Sequence, residues 1–128
     1  MIPPTLTIRQ ATEADYEQLC DLFAELDTGP RRTRAHIARL IAGPNSAIYV
    51  AAERDARVLH GVATLLRDEP GAQFVSIGEL VVHRDARRQG IGRALIDRAA
   101  DWAARKGCEL AEGPAWRTRD RERPLVSA

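Results

Sequence analysis

Apolar and polar residues alternate through Thr5–Gln10, with Leu6 and Ile8 on one face, which predicts a short strand. The period then changes. Tyr16, Leu19, Cys20, Phe23 and Leu26 recur three or four positions apart, so residues 13–26 are expected to form an amphipathic helix. Thr12 reads as its N-cap, and Asp15, three residues on, is close to a capping box. Gly29-Pro30 breaks this helix. Ile37, Leu40 and Ile41 predict a second, from about Arg34 to Ala42, which Gly43-Pro44 ends.

Strand signals follow. Ser46–Glu53 carries Ile48, Tyr49 and Val50, and the polar turn Arg54-Asp55-Ala56-Arg57 leads into a hairpin partner, Val58–Arg67. After the turn Asp68-Glu69-Pro70-Gly71, a third extended run, Gln73–His83, holds Val75, Ile77, Leu80, Val81 and Val82. Gly78 inside it predicts a bulge or a close backbone approach. The next helix starts at Gly90–Gly92 and continues through Ile91, Ala94, Leu95, Ala99, Trp102 and Ala103. Arg105 and Lys106 fall in its last turn, where they complement the macrodipole, and Gly107 suits the residue just past the end. Cys108–Glu112 reads as a fifth short strand that Gly113-Pro114 ends. The expectation is one α/β domain, 1–128, ordered β-α-α-β-β-β-α-β, with 113–128 as an irregular tail.

Composition narrows the function. A chain of 128 residues encloses one core. Its formal net charge of +1 argues against a nucleic-acid binder. No apolar run approaches the roughly 18 residues of a membrane span, and the N-terminus lacks the pattern of a signal peptide, so no membrane partner and a cytoplasmic location are expected. Charge is unevenly spread. Residues 1–70 hold 8 basic and 10 acidic side chains, residues 71–128 hold 11 and 8, which suits an anionic ligand in the second half. Cys20 and Cys108 lack metal-ligand spacing; buried free thiols and no metal site are expected.

The chemistry concentrates where the third extended run feeds a basic loop and then a helix, Glu79-Leu80-Val81-Val82-His83-Arg84-Asp85-Ala86-Arg87-Arg88-Gln89-Gly90-Ile91-Gly92-Arg93-Ala94. The first N–H groups of a helix have no intrahelical partner, and the macrodipole adds about half a positive charge there. Gly90 and Gly92 allow close backbone approach, and Arg87, Arg88 and Arg93 add charge, which together suit a diphosphate. The plainer alternative is that the glycines only shape the turn and the arginines are solvated. A P-loop is absent from the sequence, and a dinucleotide fingerprint fails because Leu95 stands at its third glycine.

Arg87-Arg88-Gln89-Gly90-Ile91-Gly92 resembles the Q/R-x-x-G-x-G/A signature of the GNAT superfamily of acyl-CoA N-acyltransferases. Leu80-Val81-Val82-His83 resembles that family's fourth strand and Val58-Leu59-His60-Gly61-Val62-Ala63 its third, over about residues 5–112. The resemblance implies a mixed, mostly antiparallel sheet flanked by helices. It implies acetyl-CoA as acyl donor, with its pantetheine arm in a gap between the splayed fourth and fifth strands, against Leu80, Val81 and Val82. The pyrophosphate would rest on Arg87, Arg88, Gln89, Gly90, Ile91 and Gly92, with Arg93 and Ala94 continuing the contact. The acceptor would be a primary amine of a small molecule or a protein. Glu79 is the candidate general base on the fourth strand, with His83 as runner-up; the alternative for each is an exposed residue with no catalytic part.

The likeness ends near the C-terminus. The family continues with a helix bearing a Phe-Tyr pair and with two more strands, whereas Arg121-Glu122-Arg123-Pro124-Leu125 departs from that pattern and no tyrosine follows Tyr49. A truncated or frameshifted end, lacking the last two strands and the usual general acid, is expected. The fifth strand would then be a bare edge, and a homodimer formed near it would cover that edge. Two functions therefore remain open: an active acetyltransferase, or a catalytically impaired CoA-binding module.

Overall fold

The computed structural model describes residues 2–26, 29–54 and 58–111. Five strands form one sheet in the order β1-β2-β3-β4-β5: β1 (Leu6–Gln10), β2 (Ser46–Glu53), β3 (Leu59–Leu66), β4 (Phe74–Val82) and β5 (Glu109–Leu110). Neighbours are antiparallel except β4 and β5, which run parallel and are joined by the helix α3 (Ile91–Arg105). A parallel pair needs such a crossover, since a tight turn cannot reverse the chain twice. The helices α1 (Tyr16–Ala24) and α2 (Arg34–Ala42) cover the opposite face.

The expected α/β order and the mixed, mostly antiparallel sheet are present, and the boundaries differ for identifiable reasons. The helix expected over 13–26 is a 3₁₀ turn, Glu13–Asp15, followed by α1. Buried Asp15 turns its carboxylate back to the Thr12 N–H (2.8 Å) and takes both Arg9 nitrogens (2.8 and 3.1 Å), which ties the turn to β1. At the far end Glu25 and Leu26 donate to Leu22 and Phe23 three residues back, so the last turn tightens and α1 stops. The expected second helix matches α2, whose Thr33 hydroxyl accepts the His36 N–H at 3.1 Å. The fifth strand is shorter than the expected run from Cys108, and Glu112, the 113–128 tail and the turn residues 55–57 lie outside the described residues.

Two cores result. Val75, Ile77, Leu80 and Val82 of β4 pack toward Ile91, Leu95, Ala99 and Trp102 of α3. Val81 joins Leu19, Phe23, Ile37, Val50 and Val62 on the α1 and α2 side. Gly61 seats α3: a Cβ there would lie 2.9 Å from Ile91 Cγ2 and 3.2 Å from Leu95 Cδ1. Removing that side chain lets the helix start approach β3 closely, which fixes where its N-terminus points. Gly107, with φ of +75°, closes α3, and the Cys108 N–H bonds back to Ala103 at 2.8 Å. Both cysteines are buried free thiols. Among the described residues no helix is long and apolar enough to cross a membrane.

Candidate functional site

The register of β3 against β4 shifts between Thr64 and Leu65: Thr64 faces Glu79, whereas Leu65 faces Ile77. Gly78 is the extra residue, so of the bulge and the close backbone approach that the sequence allowed there, the register shows the bulge. An inserted residue inverts the alternation of side chains beyond it. Ile77 and Leu80 therefore both face α3, and Glu79 is sent to the opposite face, beside α1, instead of into the α3 core.

The same register decides which backbone groups of β4 are available. His83 donates to His60 O at 2.8 Å, so the hydrogen-bonded pairs fall at His60/His83 and Val62/Val81. The N–H and C=O groups of Leu80 and Val82 then point to the other edge. β5 meets that edge only at Phe74 and Val75, so Leu80 and Val82 have no strand beside them among the described residues. Val81, grouped with them in the sequence reading, departs from it: its backbone groups belong to β3. One edge group is already engaged, for Arg87 Nε donates to Val82 O at 3.1 Å.

Beyond β4, the His83 ring opens a 3₁₀ turn, Arg84–Ala86, by accepting the Asp85 N–H on Nδ1 at 3.1 Å. Arg87 is extended, Arg88 has φ of +68°, and Gly90 has φ of +79° as the residue before α3. A non-glycine residue in the left-handed region costs on the order of 1 kcal/mol. A path that alternates in this way turns successive N–H groups into one concavity. The N–H groups of Arg88, Gln89, Gly90, Ile91 and Gly92 make no hydrogen bond among the described residues; the Ala94 N–H, 3.0 Å from Gly90 O, begins the helix ladder. These donors, the dipole of the 15-residue α3 and the exposed Arg88 give this turn a positive potential of the kind that suits an anion.

Two of the expected cationic side chains are otherwise disposed. Arg87 folds back onto Val82 O and toward Glu25 Oε1 at 3.9 Å, so it braces the loop. Arg93 pairs with Asp97 one turn along the helix, at 3.7 Å. Arg88 and Gln89 are exposed, Ile91 and Gly92 are buried, and Ala94 is half-buried in the first turn.

Glu79 lies in a different setting. Its N–H donates to Thr64 Oγ1 at 2.9 Å, and the same hydroxyl is 3.0 Å from Glu79 Oε1. Thr64 is only 2% exposed, so the carboxylate is held by a fixed partner. The second oxygen, Oε2, takes a guanidinium nitrogen of Arg32, and each side chain of the pair is 23% exposed. The Arg32 guanidinium lies 4.2 Å from the centroid of the Phe23 ring. Arg32 comes from the segment between α1 and α2, and its carbonyl accepts the Tyr16 hydroxyl. His83, the other base candidate, is less suited. Its Nδ1 lone pair is taken by the Asp85 N–H, and Nε2 faces Glu25 Oε2 at 3.7 Å.

Arg32, Thr64 and Phe23 were not expected at the site. Thr64 was findable from sequence, because a bulge at Gly78 in the hairpin register puts it opposite Glu79. Arg32 was not, since nothing local to it signals a partner 47 positions away.

The model of the GNAT acetyltransferase family matches residues 11–116. An acetyltransferase from Trypanosoma brucei is similar in structure, with a TM-score of 0.70 at 22% identity, over 91% of this chain and 89% of that one. Glucosamine-6-phosphate N-acetyltransferase from Arabidopsis thaliana has a TM-score of 0.71 at 15% identity, over 92% and 89%. An aminoglycoside acetyltransferase from an uncultured soil metagenomic sample, solved with sisomicin, has a TM-score of 0.64 at 22% identity, over 87% and 80%. No functionally curated protein matches the sequence.

Proposed function

The chain belongs to the GNAT family of acetyltransferases, and from that premise we propose that it transfers an acetyl group from acetyl-CoA to a primary amine of a small molecule or protein. The observation that carries the donor is the run of N–H groups from Arg88 to Gly92 that make no hydrogen bond among the described residues, leading directly off a β4 edge with no strand beside it among those residues. That run suits the pyrophosphate, and the Leu80 and Val82 edge suits the amide groups of the pantetheine arm. In the reaction the amine nitrogen attacks the thioester carbonyl carbon, the C–S bond breaks, and sulfur leaves with the bonding pair. Glu79 takes the proton lost by the amine, and the Leu80 N–H is the donor nearest the bulge for the transient oxyanion.

Calorimetry with acetyl-CoA, beside thiol release against a panel of amines, tests this reading. Saturable binding with amine-dependent thiol release is expected; no binding by the folded chain would overturn it. Glu79→Gln should lower turnover about 10²–10⁴-fold with little change in acetyl-CoA affinity, as a lost base does. Unchanged turnover would reject Glu79 as the base. The second reading, a module that binds CoA and transfers poorly, draws on Arg32 engaging the carboxylate; binding without thiol release for any amine would favour it. We also propose a homodimer formed near β5, to be checked by light scattering over a range of concentrations, where a monomeric mass throughout would remove it.

A further inference from the structure

Glu79, Thr64 and Phe23 enclose a guanidinium that belongs to the chain itself. One carboxylate oxygen is fixed by a buried hydroxyl, the other faces the cation, and an aromatic face lies 4.2 Å from the guanidinium carbon. A carboxylate with an aromatic wall is a general design for binding a cation. Neighbouring arginines are anchored elsewhere: Arg31 and Arg34 both pair with Glu17 and both lie over the Tyr16 ring, at 5.2 and 4.4 Å. The Arg32 carbonyl is also anchored, by Tyr16. Its backbone is therefore held while its side chain extends to the sheet.

We propose that Arg32 is an internal stand-in for the acceptor, and that an incoming alkylammonium group takes its place between Glu79 and the Phe23 ring. The proposal rests on the acetyltransferase reading for its catalytic consequence, but the cation site itself does not. Displacement swings the Arg32 side chain away from Glu79 and the Phe23 ring while its carbonyl stays on Tyr16. An adjoining cleft of about 300 Å³, lined by Asp21, Ala24, Gly29 and Arg31, gives the guanidinium room and a carboxylate to face. Once seated, the ammonium passes one proton to Glu79 and becomes the neutral nucleophile, and the second proton, released as the amide forms, goes to the departing thiolate. Arg32 is thus a specificity-determining residue. An acceptor must arrive as a cation to compete with a guanidinium, which favours aliphatic primary amines over arylamines that are neutral near pH 7.

Two measurements test this. In the first, thermal unfolding of Arg32→Ala is followed against millimolar methylguanidinium or ethylammonium chloride, with sodium chloride as the ionic-strength control. A saturable rise in Tm is expected for Arg32→Ala, with none for wild type or for Arg32→Ala/Glu79→Gln. No saturable rise, or an equal rise in the double variant, overturns the proposal. Arg32→Gln, which keeps a polar side chain but is shorter and uncharged, replaces Arg32→Ala if the latter fails to fold. In the second, KM for an alkylamine should fall several-fold in Arg32→Ala while KM for acetyl-CoA is unchanged, and discrimination against an arylamine should shrink. An unchanged or raised alkylamine KM overturns the proposal. Absence of thiol release in every variant would count against the acetyltransferase reading alone, since the first measurement does not depend on it.

Discussion

The two ends of β4 are built on opposite principles. At its C-terminal end the Arg88–Gly92 segment offers backbone: N–H groups unbonded among the described residues, two left-handed residues and a helix start, all within five consecutive positions. Near its middle, Glu79 is held by side chains from the segment before α2 and from β3, and the first of these, Arg32, lies over Phe23 of α1. A backbone site tolerates loss of a side chain but not an added one. A side-chain site weakens when a partner that positions its carboxylate is removed, because the groups left behind are part-buried and unpaired; Arg32, whose place a ligand cation takes, is the exception.

The largest effect should come from adding a side chain to the first site. Gly90→Asp keeps a residue type that accepts a positive φ, yet sets a carboxylate beside the proposed pyrophosphate. Calorimetry should show at least about a 100-fold loss of acetyl-CoA affinity, worth about 2.7 kcal/mol, with the fold retained by circular dichroism. Wild-type affinity in the folded variant would dissolve the contrast, since the backbone would then not be the binding surface.

Thr64→Val probes the other site. It leaves the Glu79 N–H and one carboxylate oxygen without the buried hydroxyl, and denaturant unfolding should show a loss of about 1–3 kcal/mol. Turnover should fall while acetyl-CoA affinity holds. A fall in affinity instead would mean that the two ends of β4 act as one site.

Acid sensitivity should trace to neither end. Burial alone would push the Asp15 carboxyl up, but the Arg9 fork, the Thr12 N–H and the Arg9 charge outweigh it and hold the carboxyl below its ordinary range. A depressed folded-state pKa contributes stability that is present above the unfolded value, near pH 4, and is lost as pH falls through the folded value. Chemical denaturation from pH 7 downward should show this loss in wild type. In Asp15→Asn that part of the pH dependence should be missing, on a baseline lower by about 1–2 kcal/mol. An identical acid limb in the variant would assign it to other carboxylates.

The smallest effect expected is a gain. Arg88→Gly relieves a left-handed residue while enlarging the freedom of the unfolded chain. Denaturant unfolding should shift upward by less than about 1 kcal/mol. Acetyl-CoA affinity should fall only a few-fold, and less so at high salt, because one exposed charge is lost while the N–H groups remain. A collapse of affinity would show that the guanidinium, and not the backbone, holds the ligand.

Where elements begin and end was legible wherever the cause is local. The Gly43-Pro44 stop, Gly107 past α3 and the Gly78 bulge each follow from one or two residues, and the Arg87–Gly92 segment is readable because its chemistry is contiguous. The 3₁₀ entry to α1 was not, since it depends on the Arg9 side chain of β1 reaching back over the turn to Asp15. The conformation of Arg88 carries no sequence signal either, because glycine or asparagine would be expected at a positive φ.

The sequence by itself determined the order of elements, the mixed sheet flanked by helices and the glycine-containing turn before α3, since hydrophobic period and glycine placement act over a few residues. Only the tertiary structure decided what Glu79 faces. The bulge inverts its side of the sheet, and the ion pair with Arg32 closes over 47 positions through the packing of α1 on β3 and β4. Such a contact has no local propensity to announce it; it exists because two cores fix the backbone on either side of one carboxylate.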